Sequence, residues 1–440
     1  MAARTQYNTA GFTPAPGGAQ NPDHIYLNLS LINNDTTDGA NPAVVFTETR
    51  TNPIIENPLE YNFSIVRFDM NGPGKDLPMF IPVIETGQTD PNLTVYQVTL
   101  RVAYNYTAPF VGSGVLTSSP ASGRLIWTPE VLDAALAPTP APPVLKQDIS
   151  SRYYWGSTYS HFVNILNVAF QSAWNDLNTQ FLAVSGGTAL TTKPPFCLYN
   201  PTDNLFTIYA DRYGFGDNGN GTTNRTSAGT PADENFSLFF NSNLYGLVGN
   251  FRSLYLNQAN GLTYQLLIQN LKWQNILDVN SPPAPIGSVA SYWVLTQDYE
   301  STSSLWCPVE SIVFTTSLMP LVFEQASEPV VFGASNVGSS TGVQANFTPI
   351  ITDTSLTMES ANSYREFFQY APTAEYRLSN FVRSSAPLQN VQVSCFWKNR
   401  LTGALVPITM VNSSSVSIKM MFRRRGVVSY PHLAQSGYDV

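Results

Sequence analysis

Apolar and polar residues alternate along short runs through most of this chain. Residues 25–32 (IYLNLSLI) form the first such run, with the two-residue period of a strand that buries one face. Residues 43–49 and 61–69 (YNFSIVRFD) follow, set apart by turn-rich residues 33–42 and by Pro53 and Pro58. Over residues 95–104 the period is regular: Tyr96, Val98, Leu100, Val102 and Tyr104 point one way, and Gln97, Thr99 and Arg101 the other. This predicts an antiparallel strand with one wet face. Further strands are predicted at 195–200, 205–212, 235–241, 262–269, 291–298, 311–318, 350–356, 374–378, 391–397 and 416–423. Residues 77–84 are apolar but broken by Pro78 and Pro82, which predicts an extended segment at a sheet edge. Small or Gly/Asn/Ser-rich residues at 112–123, 213–233 and 329–348 predict loops.

One stretch breaks the pattern. Over residues 159–183, Phe162, Ile165, Leu166, Ala169, Phe170, Ala173, Trp174 and Leu177 recur at spacings of three and four. That period places them on one face of an amphipathic helix, capped by Ser157, Thr158 or Ser160. Thr128-Pro129-Glu130 predicts a short helical turn before it. The helix is expected to brace a sheet and to shield a sheet edge from unwanted pairing. Roughly fifteen strands with no crossover helices exclude a parallel doubly wound sheet. The predicted fold is mainly β: an antiparallel jelly-roll β-sandwich with long loops, one amphipathic helix and an additional β region.

Composition sharpens this picture. Charged residues make up only 12% of the 440-residue chain, while hydrophobic residues, at 43%, are ordinary. Asn, Ser, Thr and Gln therefore supply the polar surface, as suits a chain that covers its outside with neighbours. The net charge of −8 argues against whole-protein attraction to nucleic acid or an anionic membrane. No apolar run reaches membrane-spanning length. Residues 1–22 are expected to be a flexible arm, not a targeting signal.

Candidate chemistry is sparse. Cys197, Cys307 and Cys395 are distant from one another and predict neither a disulfide framework nor a metal knuckle. His24, His161 and His432 have no metal-ligand spacing, and no nucleophile elbow accompanies them. Residues 214–219 (GFGDNG) formally match a dinucleotide fingerprint, but Asn220-Gly221-Thr222 does not open the helix that would receive a pyrophosphate. No catalytic, cofactor or metal site is expected. Two clusters are candidate interface elements: the aromatic Tyr153, Tyr154 and Trp155, and the basic Arg423, Arg424 and Arg425 at the end of the last strand.

Several stretches resemble the penton or minor capsid proteins of polinton-like viruses and virophages, small double-stranded DNA viruses. They are residues 57–68 (NPLEYNFSIVRF) with 77–82 (LPMFIP), 311–320 (SIVFTTSLMP), 375–378 (EYRL), 396–398 (FWK) and the strand ending in the arginine triplet. The resemblance implies a jelly-roll shell protein of the virion that assembles inside the host cell with copies of itself and neighbouring capsid proteins. It implies no cofactor, no sequence-specific binding of nucleic acid and no membrane span. A single jelly roll needs only about eight strands. The surplus points to an insertion on a pentameric penton or to a second jelly roll, as in a trimeric major capsid protein. A glycan-binding attachment protein is a further alternative. The expected organisation is an arm at 1–24, a β region at 25–133, a Pro-rich linker at 134–158, a helix and β region at 159–300, a C-terminal β region at 301–425 and a tail at 426–440.

Overall fold

The computed structural model describes residues 22–34, 42–72, 76–85, 92–106, 112–128, 130, 155–184, 189–190, 192–211, 214–215, 226–227, 230–259, 261–268, 273–277, 289–300, 308–323, 350–355, 367–371, 377–382, 386–400 and 403–425. The chain forms two compact units, Met1–Leu77 with Val309–Val440, and Pro78–Pro308. In chain order the first unit contributes β1 (His24–Ile32), β2 (Val45–Thr49) and β3 (Tyr61–Asn71). The second holds β4 (Val98–Tyr106), β5 (Gly112–Thr117), α1 (Tyr159–Val184), β6 (Phe196–Asn200), β7 (Leu205–Asp211), β8 (Thr226–Ser227), β9 (Thr230–Phe240), α2 (Ser242–Leu247), β10 (Ser253–Tyr255), β11 (Tyr264–Leu266), β12 (Trp273–Leu277) and β13 (Val289–Thr296). The first unit resumes with β14 (Val309–Thr315), β15 (Ile350–Ser355), β16 (Phe367–Tyr370), β17 (Ser379–Asn380), β18 (Asn390–Asn399), β19 (Leu405–Pro407) and β20 (Ser415–Arg424).

In the first unit one sheet runs β1-β20-β3-β16, with β17 also on β3; the other runs β15-β14-β18-β19, with β2 also on β18. Setting aside the short β17 and β19, eight strands remain. The first pairs with the eighth, the eighth with the third and the third with the sixth. On the other sheet the second pairs with the seventh, the seventh with the fourth and the fourth with the fifth. This is the circuit of a jelly roll. Alternation decides which side chains enter it: Leu27 and Leu29, Val391, Val393, Cys395 and Trp397, and Val416, Ile418, Met420 and Phe422 are all buried. Across the sandwich, Phe68 of β3 meets Phe314 of β14 edge-on at 5.0 Å.

The second unit is organised around α1. Thr158 caps it, its hydroxyl oxygen accepting from the His161 N–H at 3.1 Å. The Glu130 carboxylate accepts from the Ser157 N–H and the Thr158 hydroxyl at 2.7 and 2.8 Å, placing a negative charge at the helix start. The predicted stripe is buried except for Trp174, which is only partly covered; Tyr159, Val163 and Phe181 are buried as well. α1 packs on β4 and β5 of one sheet and β6 of another. Phe170 stacks with Phe240 at 6.3 Å, Phe181 meets Tyr104 at 5.5 Å, and Phe162 lies against Phe206 at 6.3 Å.

β6 is an edge strand, and α1 finishes that edge. The Asn167 side-chain amide donates to the Cys197 carbonyl at 3.0 Å and accepts from the Cys197 N–H at 2.7 Å. It thereby occupies the hydrogen-bonding groups that a further strand would use. Gln180 donates in the same way to the Thr117 carbonyl at the end of edge strand β5, at 3.2 Å.

Several expectations change. Residues 112–117 are a strand, because Gly114 lies against the ring of Tyr104 directly across the ladder, where a Cβ would sit 2.8 Å from the phenolic oxygen. Gly123 approaches the backbone too: an added Cβ would meet the Val98 carbonyl at 1.9 Å. β9 begins at Thr230, inside the expected loop, since β4 provides a partner back to Ala232. Residues 79–84 carry no strand; Phe80 and Ile84 make single bridges to Gly156 and Thr94. Residues 377–378 are not in a strand, and the adjoining pair Ser379–Asn380 is. Glu130 sits in a bend, not a helical turn, while Pro129 lies outside the described residues. The compact units meet at 77/78 and 308/309, so the expected 134–158 linker falls inside the second unit; residues 131–154 themselves lie outside the described residues.

Candidate subunit interface

The two clusters singled out from sequence have different fates. Tyr153 and Tyr154 lie outside the described residues. Trp155 is buried, with 5% of its surface exposed, and so serves the second unit's own core rather than a free surface. Burial is favoured there by the aromatic environment: its neighbour Gly156 bridges to Phe80, which packs on Trp127 at 5.4 Å.

The arginine triplet closes the end of the β1-β20-β3 ladder. Arg423 stands opposite His24 on one side and Asn62 on the other. The Arg424 N–H donates to the Asp23 carbonyl at 2.8 Å, and its guanidinium lies 3.6 Å from the Glu60 carboxylate. The Arg425 N–H donates to the Glu60 carbonyl at 2.7 Å, while its Nε reaches Asn62 Oδ1 at 3.1 Å. Beneath them the Tyr61 hydroxyl donates to the Pro22 carbonyl at 2.9 Å. Burial pushes the Tyr61 phenol up, against the opposing pull of Arg424. Half-exposed ion pairs of this kind contribute at most about 1 kcal/mol each. The triplet is a solvated strand exit with a fixed shape.

A second surface was not foreseen. After β14 the chain turns at Thr316, whose hydroxyl accepts from the Met319 N–H at 3.2 Å. A short bridge then forms: the Val322 N–H donates to the Asn380 carbonyl and the Val382 N–H to the Pro320 carbonyl, both at 2.7 Å. Leu321 and Phe381, opposite each other in this bridge, point into the core. Their neighbours point out. Val322 is 56% exposed and Val382 41%, with Leu318, Phe323 and Leu378 also exposed around them. An exposed apolar cluster of this kind is a candidate contact surface, because burying each half-exposed side chain is worth roughly 1 kcal/mol. Only the apolar character of 318–323 and 378–382 signalled it, and no period long enough to read runs through those segments.

Groups with reactive potential are placed for packing. Cys197 and Cys395 are buried and their thiols pushed up by burial, which suppresses the reactive thiolate. His161 donates from Nε2 to the Thr128 carbonyl at 2.8 Å and meets Trp127 edge-on. Gly214 and Phe215, the start of the GxGxxG match, are buried; the Gly214 carbonyl accepts from the Phe236 N–H at 2.9 Å, tying it to β9. The rest of that match, 216–219, lies outside the described residues. Among the described residues, no three His, Cys, Asp or Glu side chains gather closely enough to hold a metal ion. No described helix is long and apolar enough to cross a membrane.

The chain is similar to known viral proteins along most of its length. Among solved structures, a chain from the 3.5 Å cryo-EM structure of the Sputnik virophage superposes with a TM-score of 0.65 at 22% identity, covering 93% of this chain and all of that one. The penton protein of mavirus superposes with a TM-score of 0.49 at 13% identity over 92% of this chain and 100% of that one. Protein V18 of the Sputnik virophage, itself uncharacterized, is 29% identical over 159 residues, 36% of this chain and 87% of that protein. The family model described as Sputnik minor capsid protein V18/19 matches residues 25–424. That span includes every strand of the jelly roll and the whole inserted unit, and the chain belongs to this family of viral minor capsid proteins.

Proposed function

We propose that the chain is the penton subunit of a virion shell, five copies closing a vertex through their jelly-roll units. One observation supports this reading: among the described residues there is a single complete jelly-roll circuit, and the surplus strands lie between β3 and β14 in sequence with a different topology. In the second unit β4 pairs with β5 and β9, and β13 with β12 and β7; among the described residues the first strand does not close on the last. A trimeric major capsid protein built on two jelly rolls would need that second closure. The subunit is structural and non-enzymatic, and its partners are copies of itself and neighbouring capsid proteins, assembled inside the host cell. The exposed cluster around Val322 and Val382 supplies the apolar contact.

Native mass spectrometry and electron microscopy of the purified chain test this. Closed pentamers are the expected species, and Val322→Asp with Val382→Asp should return them to monomers while leaving the melting temperature unchanged. A stable trimer would support the major capsid reading instead. A stable monomer that binds glycans would support an attachment protein.

A further inference from the structure

β1 is a long edge strand, nine residues against six for β15, five for β2 and four for β16. Among the described residues it pairs with β20 on one side and with no strand on the other. The ladder fixes which backbone groups face the open side. The Arg424 N–H donates to the Asp23 carbonyl at 2.8 Å and the Asn33 N–H to the Ser414 carbonyl at 3.0 Å, and the register between them runs without a shift. Such bonds recur at every second residue of an antiparallel ladder, so the odd-numbered residues of β1 bond to β20. The N–H and C=O groups of His24, Tyr26, Asn28, Ser30 and Ile32 therefore point to the free edge. Tyr26, Asn28, Ser30 and Ile32 are exposed.

Folded proteins usually blunt such an edge with a bulge, a proline, a lysine or a covering side chain, as Asn167 covers β6. The β1 sequence, HIYLNLSLI, contains no Pro, Lys or Arg, and its ladder has no bulge. Its core-facing row is also incompletely covered. Leu27 and Leu29 are buried, whereas Ile25 and Leu31 on the same row are only half-buried. A strand laid alongside would bond the free backbone groups and cover both side chains.

We infer that this edge receives residues 427–430 (VVSY) of a neighbouring copy as an added strand. The inference rests on the reading of the chain as a shell subunit that assembles with copies of itself. Valine and tyrosine favour strands, and with Val428 and Tyr430 on the core row Ser429 falls on the wet row. The other terminal segment, residues 1–21, carries Gly11, Pro14, Pro16, Gly17 and Gly18, which suit a ladder poorly. Residues 427–430 follow closely on Arg425, whose N–H donates to the Glu60 carbonyl at 2.7 Å at the end of the same sheet. To reach the β1 edge of its own copy the chain must cross two strand spacings, roughly 10 Å. That crossing takes up about three residues, most of the strand-forming segment itself. Exchange between copies avoids this loss. A contact from tail to edge is also heterologous, the kind that closes rings, whereas two β1 edges meeting would give a two-fold dimer.

The test is disulfide cross-linking of the full-length chain carrying Asn28→Cys on the edge and Ser429→Cys on the tail. Under mild oxidation a non-reducing gel should show a ladder of linked copies, and neither single variant should give one. A link formed by Asn28→Cys alone joins two β1 strands across a two-fold and overturns the proposal. So does a link formed by Ser429→Cys alone, a link within one copy, or a link from Asn28→Cys to Thr9→Cys in place of Ser429→Cys. Hydrogen exchange gives a second readout. The amides of Tyr26, Asn28 and Ser30 should exchange about tenfold more slowly in the assembled chain than in the dissociated one. Val428→Pro, which leaves β1 untouched, should abolish that protection, and equal exchange in both forms of the natural chain overturns the proposal. Oligomeric state measured in the same samples reads the vertex proposal separately. Cross-linked trimers sink only the penton, and pentamers with an unprotected β1 sink only this inference.

Discussion

In the jelly-roll unit, the pairings that close the fold join distant parts of the chain: His24 of β1 stands opposite Arg423 of β20, and Val45 of β2 opposite Ser394 of β18. In the inserted unit most pairings join neighbours, as in β4–β5, β6–β7, β10–β11 and β12–β13, and a helix of 26 residues, about 39 Å long, fills the centre. Both bury alternating strand faces, but against different surfaces. One uses a second sheet, and the other uses a helix whose polar side chains also finish the sheet edges. The difference teaches where each unit is vulnerable: the first at contacts between its sheets, the second along α1.

The sharpest way to break the comparison is to damage each core separately. Phe68 and Phe162 are 0% and 1% exposed and make ring contacts with Phe314 and with Phe80 and Phe206, respectively. Phe68→Ala and Phe162→Ala should each cost about 3–5 kcal/mol. In calorimetry each should lower a different transition. If both substitutions shift one common transition, the units do not melt separately and the contrast fails.

A smaller effect is expected at the edge. Asn167→Ala leaves the Cys197 N–H and carbonyl without their side-chain partners and should cost about 1–3 kcal/mol, read by denaturant titration. It should also raise aggregation near the melting point, since an edge strand is uncovered. Trp174→Ala should cost less than a buried tryptophan would, on the order of 1–2 kcal/mol, because the side chain is only partly covered. Trp174→Phe should be close to neutral. The Trp174 indole N–H has no hydrogen-bond partner among the described residues, so removing it loses none.

The smallest effect is a dependence on alkaline pH. Burial pushes the Tyr292 phenol up to about 12 from 10.0, and raises Tyr96 and the Cys197 thiol as well. In each case the folded state holds its proton more tightly than the unfolded chain does. Stability is therefore fully present below the ordinary values of 9.0 and 10.0 and declines as pH rises above them. Melting curves from pH 8 to 11 should show this decline in the inserted unit's transition. A flat profile would mean that these groups ionise without unfolding.

Regular alternation made β1, β3, β18 and β20 legible within a residue or two, and the three-four spacing did the same for α1. Local pattern failed where a partner from elsewhere decides the outcome. Nothing in Gly112–Thr117 favours a strand until Tyr104 supplies a ring for Gly114 to rest on. β16 and β19 are 4 and 3 residues long, too short for a period to show, and exist because β3 and β18 are already in place. The division of the chain was not legible: the compact units part at 77/78, where the sequence is apolar and composition does not shift. The candidate interface was half legible: the arginine triplet showed as a charge run, whereas the Val322/Val382 cluster needs two segments about 60 residues apart brought together by the bridge between Leu321 and Phe381.

The pairing of β1 with β20 has a consequence for how the molecule is born. Between Ile32 and its partner Ser415 the ribosome must deliver almost the entire chain. At ordinary elongation rates that delay is roughly 20 to 80 seconds. The inserted unit, complete once Pro308 emerges, has time to fold while β1 waits with neither of its ladder edges filled. The jelly-roll unit is thus the last to mature. Until β20 arrives, β1 is an unpaired strand, the kind of edge that is open to pairing with a wrong neighbour.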